Sequence, residues 1–256
     1  MQKFNFHTHT TRCRHAKGSE REFIETAIAM GMDTLGFSDH SPQIFSGDYY
    51  SDYRMFPHQT EEYVKTLCAL REEYRGKIDI LIGYEAEYYP ALFDKLLEHI
   101  RQYPCDYLIL GQHFLDNETS RRYSGIRTED PQYLKDYVDQ VCAGIRTGLF
   151  TYVAHPELQN FAGDRAVYRR EYSRLIECAM ENGVPLEINL LGLSGGRHYP
   201  CEDFWALAGE RGADAVIGFD AHEPYALTLE NACADAVKLA QKYGLRLVKP
   251  TLRRPF

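Results

Sequence analysis

The sequence predicts an α/β protein built as a parallel β/α barrel, and three observations carry that prediction. Short apolar runs alternate with amphipathic helical stretches along the whole chain, as parallel βαβ architecture requires. Histidines and acidic residues recur where the apolar runs end, at His7-Thr8-His9, Ser38-Asp39-His40, Gly111-Gln112-His113, Ala154-His155-Pro156 and Asp220-Ala221-His222. The length of 256 residues suits one such barrel, so a single domain over 1–256 is expected.

Each element has its own local reason. Phe4–His7 is the first strand, and Ser19 with Glu22 makes a capping box for a helix whose Phe23, Ala27 and Met30 share a face until Gly31. Thr34–Ser38 is the second strand, and a long aromatic loop, Phe45–Phe56, follows it. Pro57–Tyr74 then carries helical spacing at Tyr63, Leu67 and Leu70, and Ile78–Gly83 is the third strand. The alternation continues with helix Leu92–Tyr103, strand Tyr107–Gly111, and helix Pro131–Thr147 behind its Asp130 cap. Strand Tyr152–Ala154, helix Arg165–Asn182 capped by Asp164, and strand Leu186–Asn189 come next. Helix Glu202–Arg211, strand Ala215–Phe219 and helix Pro224–Tyr243 complete seven strand–helix units, with Leu245–Val248 as a short closing segment.

Composition narrows the function classes. The formal net charge of −8 argues against a general nucleic-acid binder, whose affinity comes from clustered Lys and Arg. Small anionic substrates remain compatible, because bound divalent cations make a pocket positive inside an acidic protein. Apolar runs fall far short of the ~20 residues that cross a bilayer. No secretory leader is expected, since candidate ligands already stand at His7 and His9, and the expected location is the cytoplasm. The seven cysteines are odd in number and lack a Cys-x-x-Cys pair, which predicts reduced, packed thiols. Cys13 lies two residues from His15 but is read as a small buried hydrophobe and left outside the site.

The strand ends are where the chemistry concentrates. In parallel β/α barrels the loops after the strands converge on one functional face. That face would gather His7, His9, His40, Glu85, His113, His155, Asp220 and His222, with His15 in the first loop. His-x-His and Asp-x-His spacing points paired side chains to one side of a strand, as two ligands of one ion need. Imidazole and carboxylate suit Zn, Mn and Fe, and such ions lower the pKa of bound water, so the chemistry expected is hydrolytic. Glu85 and Glu87 both qualify as a bridging carboxylate; Glu85 is favoured because it lies nearer the strand end, and Glu87 is read as a solvated loop residue. His58, His99 and His198 match no strand end and are read as surface or supporting residues.

These motifs, in this order, resemble the polymerase-and-histidinol-phosphatase (PHP) superfamily of metal-dependent phosphoesterases. The resemblance runs through His7-Thr-His9-Thr, Cys13-Arg-His15-Ala, Ser38-Asp-His40-Ser-Pro42, Gly83-Tyr-Glu85, Gly111-Gln-His113, His155-Pro and Gly218-Phe-Asp220-Ala-His222. Within the superfamily the chain looks most like the histidinol-phosphate phosphatases of histidine biosynthesis, through Tyr53-Arg-Met55, Glu187-Ile-Asn189 and Tyr199-Pro200.

The resemblance implies a distorted (β/α)7 barrel holding three divalent ions. One ion would take His7, His9, Glu85 and Asp220; a second would share Glu85 and add His113 and His155; the third would take His15, His40 and His222. The pair sharing Glu85 would lie ~3.5–4 Å apart around a bridging hydroxide, the nucleophile that attacks phosphorus in line. The implied reaction is hydrolysis of L-histidinol phosphate to L-histidinol and inorganic phosphate. Asp220, His222 or a bound water would protonate the leaving alkoxide. Arg197 is the expected phosphate contact, since a guanidinium forks to two oxygens. Asn189 and the aromatic loop, with Asp48 and Asp52, are expected to meet the amine and imidazole. Where basic residues are expected after His155, this chain has Gln159 and Asn160. Alternatives are a phosphoesterase for a nucleotide, sugar phosphate or phosphotyrosine, and a non-catalytic metal-binding module, which loss of ligands would mark. Oligomeric state is not encoded legibly.

Overall fold

The computed structural model describes residues 2–256. Among them eight parallel strands run in chain order: β1 Phe4–Asn5, β2 Thr34–Phe37, β3 Asp79–Ala86, β4 Tyr107–Leu110, β5 Phe150–Val153, β6 Leu186–Asn189, β7 Asp214–Gly218 and β8 Arg246–Leu247. Between them lie α1 Glu20–Ala29, α2 Thr60–Glu73, α3 Phe93–Ile100, α4 Pro131–Arg146, α5 Arg165–Glu181, α6 Leu190–Ser194, α7 Glu202–Arg211 and α8 Glu230–Lys242. Near the strands' C-terminal ends a Thr8–Ala221 bridge joins the continuation of β1 to that of β7, with His9 N donating to Ala221 O at 2.9 Å. β8 pairs only with the start of β7. Seven strands therefore curl toward closure at the functional end, with the eighth beside them at the other end.

The predicted caps form as their chemistry requires. Ser19 and Glu22 satisfy each other's backbone N–H groups at the start of α1, and Asp130 and Asp164 accept from the first free N–H groups of α4 and α5. Strand period then sorts the side chains. On β3, Ile80, Ile82, Tyr84 and Ala86 join the main core, which takes in buried side chains of all eight helices. Leu81, Gly83 and Glu85 alternate onto the other side. Inside the barrel, Phe6, Tyr107, Ile109, Tyr152, Ala154 and Val216 form a separate apolar plug.

Several boundaries differ from the sequence reading, and α6 is an element it lacks. β3 does not stop at Gly83 but continues to Ala86, pairing with β4 over Gly83–Ala86 after pairing with β2 over Asp79–Ile82. Gly83 is there for room, since a Cβ would overlap the Tyr107 ring, whose hydroxyl crosses the interior to donate to Phe6 O at 2.7 Å. The segment 57–74 opens with a 3-10 turn, Pro57–Gln59, before α2 begins. Pro224–Thr228 is likewise a 3-10 turn, separated from α8 by Leu229 with non-helical backbone. α6 is a five-residue helix, too short to show periodicity, and Asn189 caps it by accepting from Gly192 N at 2.8 Å.

All seven cysteines are free, and no helix among the described residues is long and apolar enough to cross a membrane. Glu157, after β5, ties α7 to the strand-end loop by accepting from Trp205 Nε1 at 2.7 Å and Cys201 N at 3.0 Å. Burial pushes its carboxyl up to about 8, while its second oxygen has no partner. An unfolded glutamate loses its proton near the ordinary value of about 4.3. The folded state therefore holds more protons up to about pH 8, and folding stability falls as pH rises through that window. Glu157→Gln should flatten this slope and leave the variant more stable than the parent at pH 9, by on the order of 2 kcal/mol. Thermal melts from pH 5 to 9 test it, and identical slopes would remove Glu157 from the account.

Candidate metal centre

The strand ends deliver their polar side chains to one buried cluster with Glu85 at its middle. Its Oε2 faces His40 Nδ1 at 3.0 Å, His7 Nε2 at 3.5 Å and His9 Nε2 at 3.6 Å. Its Oε1 faces His155 Nε2 at 2.9 Å and His113 Nε2 at 3.5 Å. Five imidazoles are thus divided between the two oxygens of one carboxylate. Asp220 Oδ1 lies 3.4 Å from His7 Nε2 and 3.2 Å from His9 Nε2. His222 Nε2 and His15 Nε2 meet at 2.9 Å on the outer side. Two of these residues have positive φ, His155 at +30° and Asp220 at +50°, a region that non-glycine residues adopt uncommonly and at some cost.

Supporting acceptors decide which ring nitrogen points inward. His7 Nδ1 lies 2.8 Å from Glu187 Oε1 and His113 Nδ1 2.9 Å from Glu87 Oε1. His15 Nδ1 faces Cys13 O at 2.8 Å and His222 Nδ1 faces Asp220 O at 3.0 Å. An acceptor at Nδ1 calls for the proton there and leaves the Nε2 lone pair free toward the centre, as in metal-binding histidines. Several of the inward atoms have no hydrogen-bond partner despite full burial: His7 Nε2, His9 Nε2, His40 Nδ1 and Glu85 Oε2. Buried polar atoms are normally satisfied, so this set of orphaned nitrogen and carboxylate donors fits divalent cations.

The charge field agrees. Burial opposes a charged His7, but Glu187, Asp220 and Glu85 outweigh it and push its pKa up to about 10. Burial also opposes ionised Glu85 and Asp220, yet the surrounding histidines hold both well below the carboxylate range. His222 is driven down to about 3, first by burial and then by His9. The carboxylates that attract protons to His7 would equally attract a cation.

Ligand-distance groupings bring together His7, His9 and Asp220; His7, Glu85 and His155; and His9, His40 and His222. His222 also falls within reach of Cys13 and His15. Cys13, which the sequence reading set aside, is fully buried against the cluster. Glu87 is not a solvated loop residue: it is fully buried, and its partners His113 and Arg54 compensate its charge. His58 is exposed, His99 bonds Thr60, and His198 bonds the Leu158 carbonyl, all away from the cluster.

A cavity of about 630 Å³ opens over the histidines, and Asp52, Tyr53, Phe114, Tyr123, Arg197 and Tyr199 form its walls. Arg197 Nη1 donates to Tyr199 Oη at 2.7 Å, which holds the guanidinium at the mouth. Asn189 is a correction to the expected substrate contacts. It is buried, it does not line the cavity, and its amide donates to Glu187 Oε2 at 2.9 Å and Asp220 Oδ2 at 3.1 Å. The side chain orients two carboxylates and has nothing left for a ligand. Asp48 is off the cavity wall while Asp52 is on it, and neither Gln159 nor Asn160 reaches it.

With this geometry in place, the PHP domain model matches residues 5–190, well over half of the chain, and the protein belongs to the PHP domain family. The chain is 28% identical to the curated "Probable histidinol-phosphatase" of Deinococcus radiodurans, over 94% of each protein. It is 26% identical to the histidinol-phosphatase of Bacillus subtilis, over 87% of this chain and 94% of that one. The fold matches that of the histidinol phosphate phosphatase of Lactococcus lactis, crystallised with zinc, L-histidinol and phosphate, with a TM-score of 0.74, 18% identity and 98% of both chains covered.

Proposed function

We propose that this protein hydrolyses L-histidinol phosphate to L-histidinol and inorganic phosphate, using three divalent ions of Zn, Mn or Fe. The observation that carries the reading is the division of five histidines between the two oxygens of Glu85. A carboxylate so placed is suited to bridge two cations. Similarity to curated histidinol-phosphatases over nearly the full chain supports the substrate. His7, His9, Glu85 and Asp220 would hold one ion, Glu85, His113 and His155 a second, and His15, His40 and His222 the third. Bound there, the ions would supply an activated water and neutralise phosphoryl charge.

The residues do the rest. Arg197, steadied by Tyr199, forks to the phosphate at the cavity mouth. Asp220 lines the cavity; as the oxygen of the attacking water bonds to phosphorus, its carboxylate takes the proton that this water loses. The bond from phosphorus to the ester oxygen then breaks, and Asp220 returns the proton to the leaving alkoxide. His222, held neutral, is a ligand in this scheme rather than the acid.

Phosphate release from L-histidinol phosphate, beside nucleotide, sugar and tyrosine phosphates, is the direct test, with enzyme loaded with each metal. Preference for another ester would replace the substrate. Prolonged chelation should reduce turnover at least ~100-fold and lower the melting temperature, because ions that bind only the folded state stabilise it. Arg197→Ala should raise KM about tenfold with kcat within about threefold, the loss expected for a charged hydrogen bond made to ground and transition state alike. A normal KM would take Arg197 out of the phosphate site.

A further inference from the structure

Arg54 is almost fully buried, is not itself a candidate metal ligand and does not line the cavity over the histidines. Its Nη2 lies 2.7 Å from Glu87 Oε1, its Nε donates to Glu118 Oε1 at 2.5 Å, and its Nη1 donates to Ser41 O at 2.8 Å. Both carboxylates are buried. One cation between two buried anions is costly to assemble and more costly to break, so the triad holds whatever it joins in one arrangement. It joins three things: the aromatic loop that carries Arg54 itself, the loop after β4 that carries Glu118, and the residue beyond β3, Glu87, that orients His113.

Those two loops carry one wall of the cavity. Tyr53 stacks on Phe114 at a 6.0 Å centroid distance and 24°, and Phe114 meets Tyr123 at 5.3 Å. The Tyr53 ring also abuts His40 at 5.2 Å. Its hydroxyl accepts from Arg54 Nη2 at 2.6 Å and donates to Glu87 Oε1 at 3.2 Å. On the outer side, Tyr49 Oη donates to Glu118 Oε2 at 3.0 Å and continues the network to the surface.

We infer that Arg54, with Glu118, is the positioning element for substrate discrimination: it holds Tyr53 and Phe114 as a flat aromatic wall against which the ring of the leaving alcohol packs. The inference rests on the proposed histidinol-phosphate reaction and deepens it. The phosphate end is served by Arg197 and the metal ligands, the ring end by a wall that touches His40 but is tied down through Arg54 and Glu118. Disturbing the triad from the Glu118 side should therefore weaken recognition of the alcohol and leave recognition of phosphate intact.

Product inhibition separates the two ends in the metal-loaded enzyme. Glu118→Gln should raise Ki for L-histidinol about tenfold, with a parallel rise in KM for L-histidinol phosphate, while Ki for inorganic phosphate stays within about twofold. Glu118→Ala, which removes the carboxylate altogether, should shift the same constants further in the same direction. Tyr49→Phe removes one hydrogen bond from a partly exposed ring, so it keeps the test open if the buried variants fold poorly; it should raise Ki for L-histidinol about threefold. Equal rises in both Ki values, or none in any variant, overturn the inference. A parent enzyme that does not hydrolyse L-histidinol phosphate overturns the proposed function instead.

Discussion

Glu85→Gln is expected to lower kcat/KM at least ~10³-fold, about 4 kcal/mol of transition-state stabilisation, in a protein that still folds. The substitution keeps volume and removes one charge. Glutamine has one good acceptor oxygen where the carboxylate has two, and here each oxygen serves a separate group of histidines, His40, His7 and His9 on one side and His155 and His113 on the other. Whichever way the amide turns, both groups lose the shared negative charge and one also loses its acceptor oxygen. Metal analysis of the purified variant should show fewer ions per chain than the parent. Folding should survive, because the Ile82, Tyr84 and Ala86 face of the same strand packs into the main core and is untouched. A variant with full metal content and near-parental turnover would falsify the bridging role.

How legible this site was depends on whether a residue's role follows from its own strand or from a distant partner. Strand period and the converging C-terminal face were enough to bring His7, His9, His40, Glu85, His113, His155, Asp220 and His222 to one end, and the structure gathers these side chains there. Capping chemistry placed the starts of α1, α4 and α5. Period does not separate Glu85 from Glu87, because both have the same parity; in the structure Arg54, 33 residues from Glu87, claims that carboxylate, while Glu85 lies at the middle of the histidines. Glu187 enters the sequence reading only through the Glu187-Ile-Asn189 resemblance, since its partner His7 is 180 residues distant. The signal available was its place on β6, where Glu187 and Asn189 alternate with core residues Leu186 and Ile188. Asn189 shares that parity but faces Glu187 and Asp220 rather than the cavity, so position on the inner face was not sufficient to make it a substrate contact. The sequence reading ends the third strand at Gly83, yet there the missing side chain makes room for Tyr107 and the strand runs on to Ala86.

Gly218→Ala should disable the centre without touching any ligand. Gly218 ends β7 beside Glu187, and a Cβ at that position would overlap the Glu187 carboxylate. The carboxylate cannot move freely. Its Oε1 lies 2.8 Å from His7 Nδ1, and its Oε2 accepts from His155 N at 3.0 Å and from Asn189 Nδ2 at 2.9 Å. One methyl group thus presses on the anchor of two candidate ligands from different strands, and on the amide that also holds Asp220. Loss of such supporting contacts typically costs 10–100-fold in metal affinity or activity, and two ligands affected together place the expected loss in turnover at about 100-fold or more. Glu187→Gln supplies the contrast. It keeps the volume but offers His7 and His155 a single acceptor oxygen between them, and should lower metal affinity about tenfold. The comparison is made by metal titration and thermal melts, with turnover measured at saturating metal. If Gly218→Ala binds metal like the parent, the Glu187 carboxylate is not what aims His7, and orientation of that imidazole must come from elsewhere in the barrel.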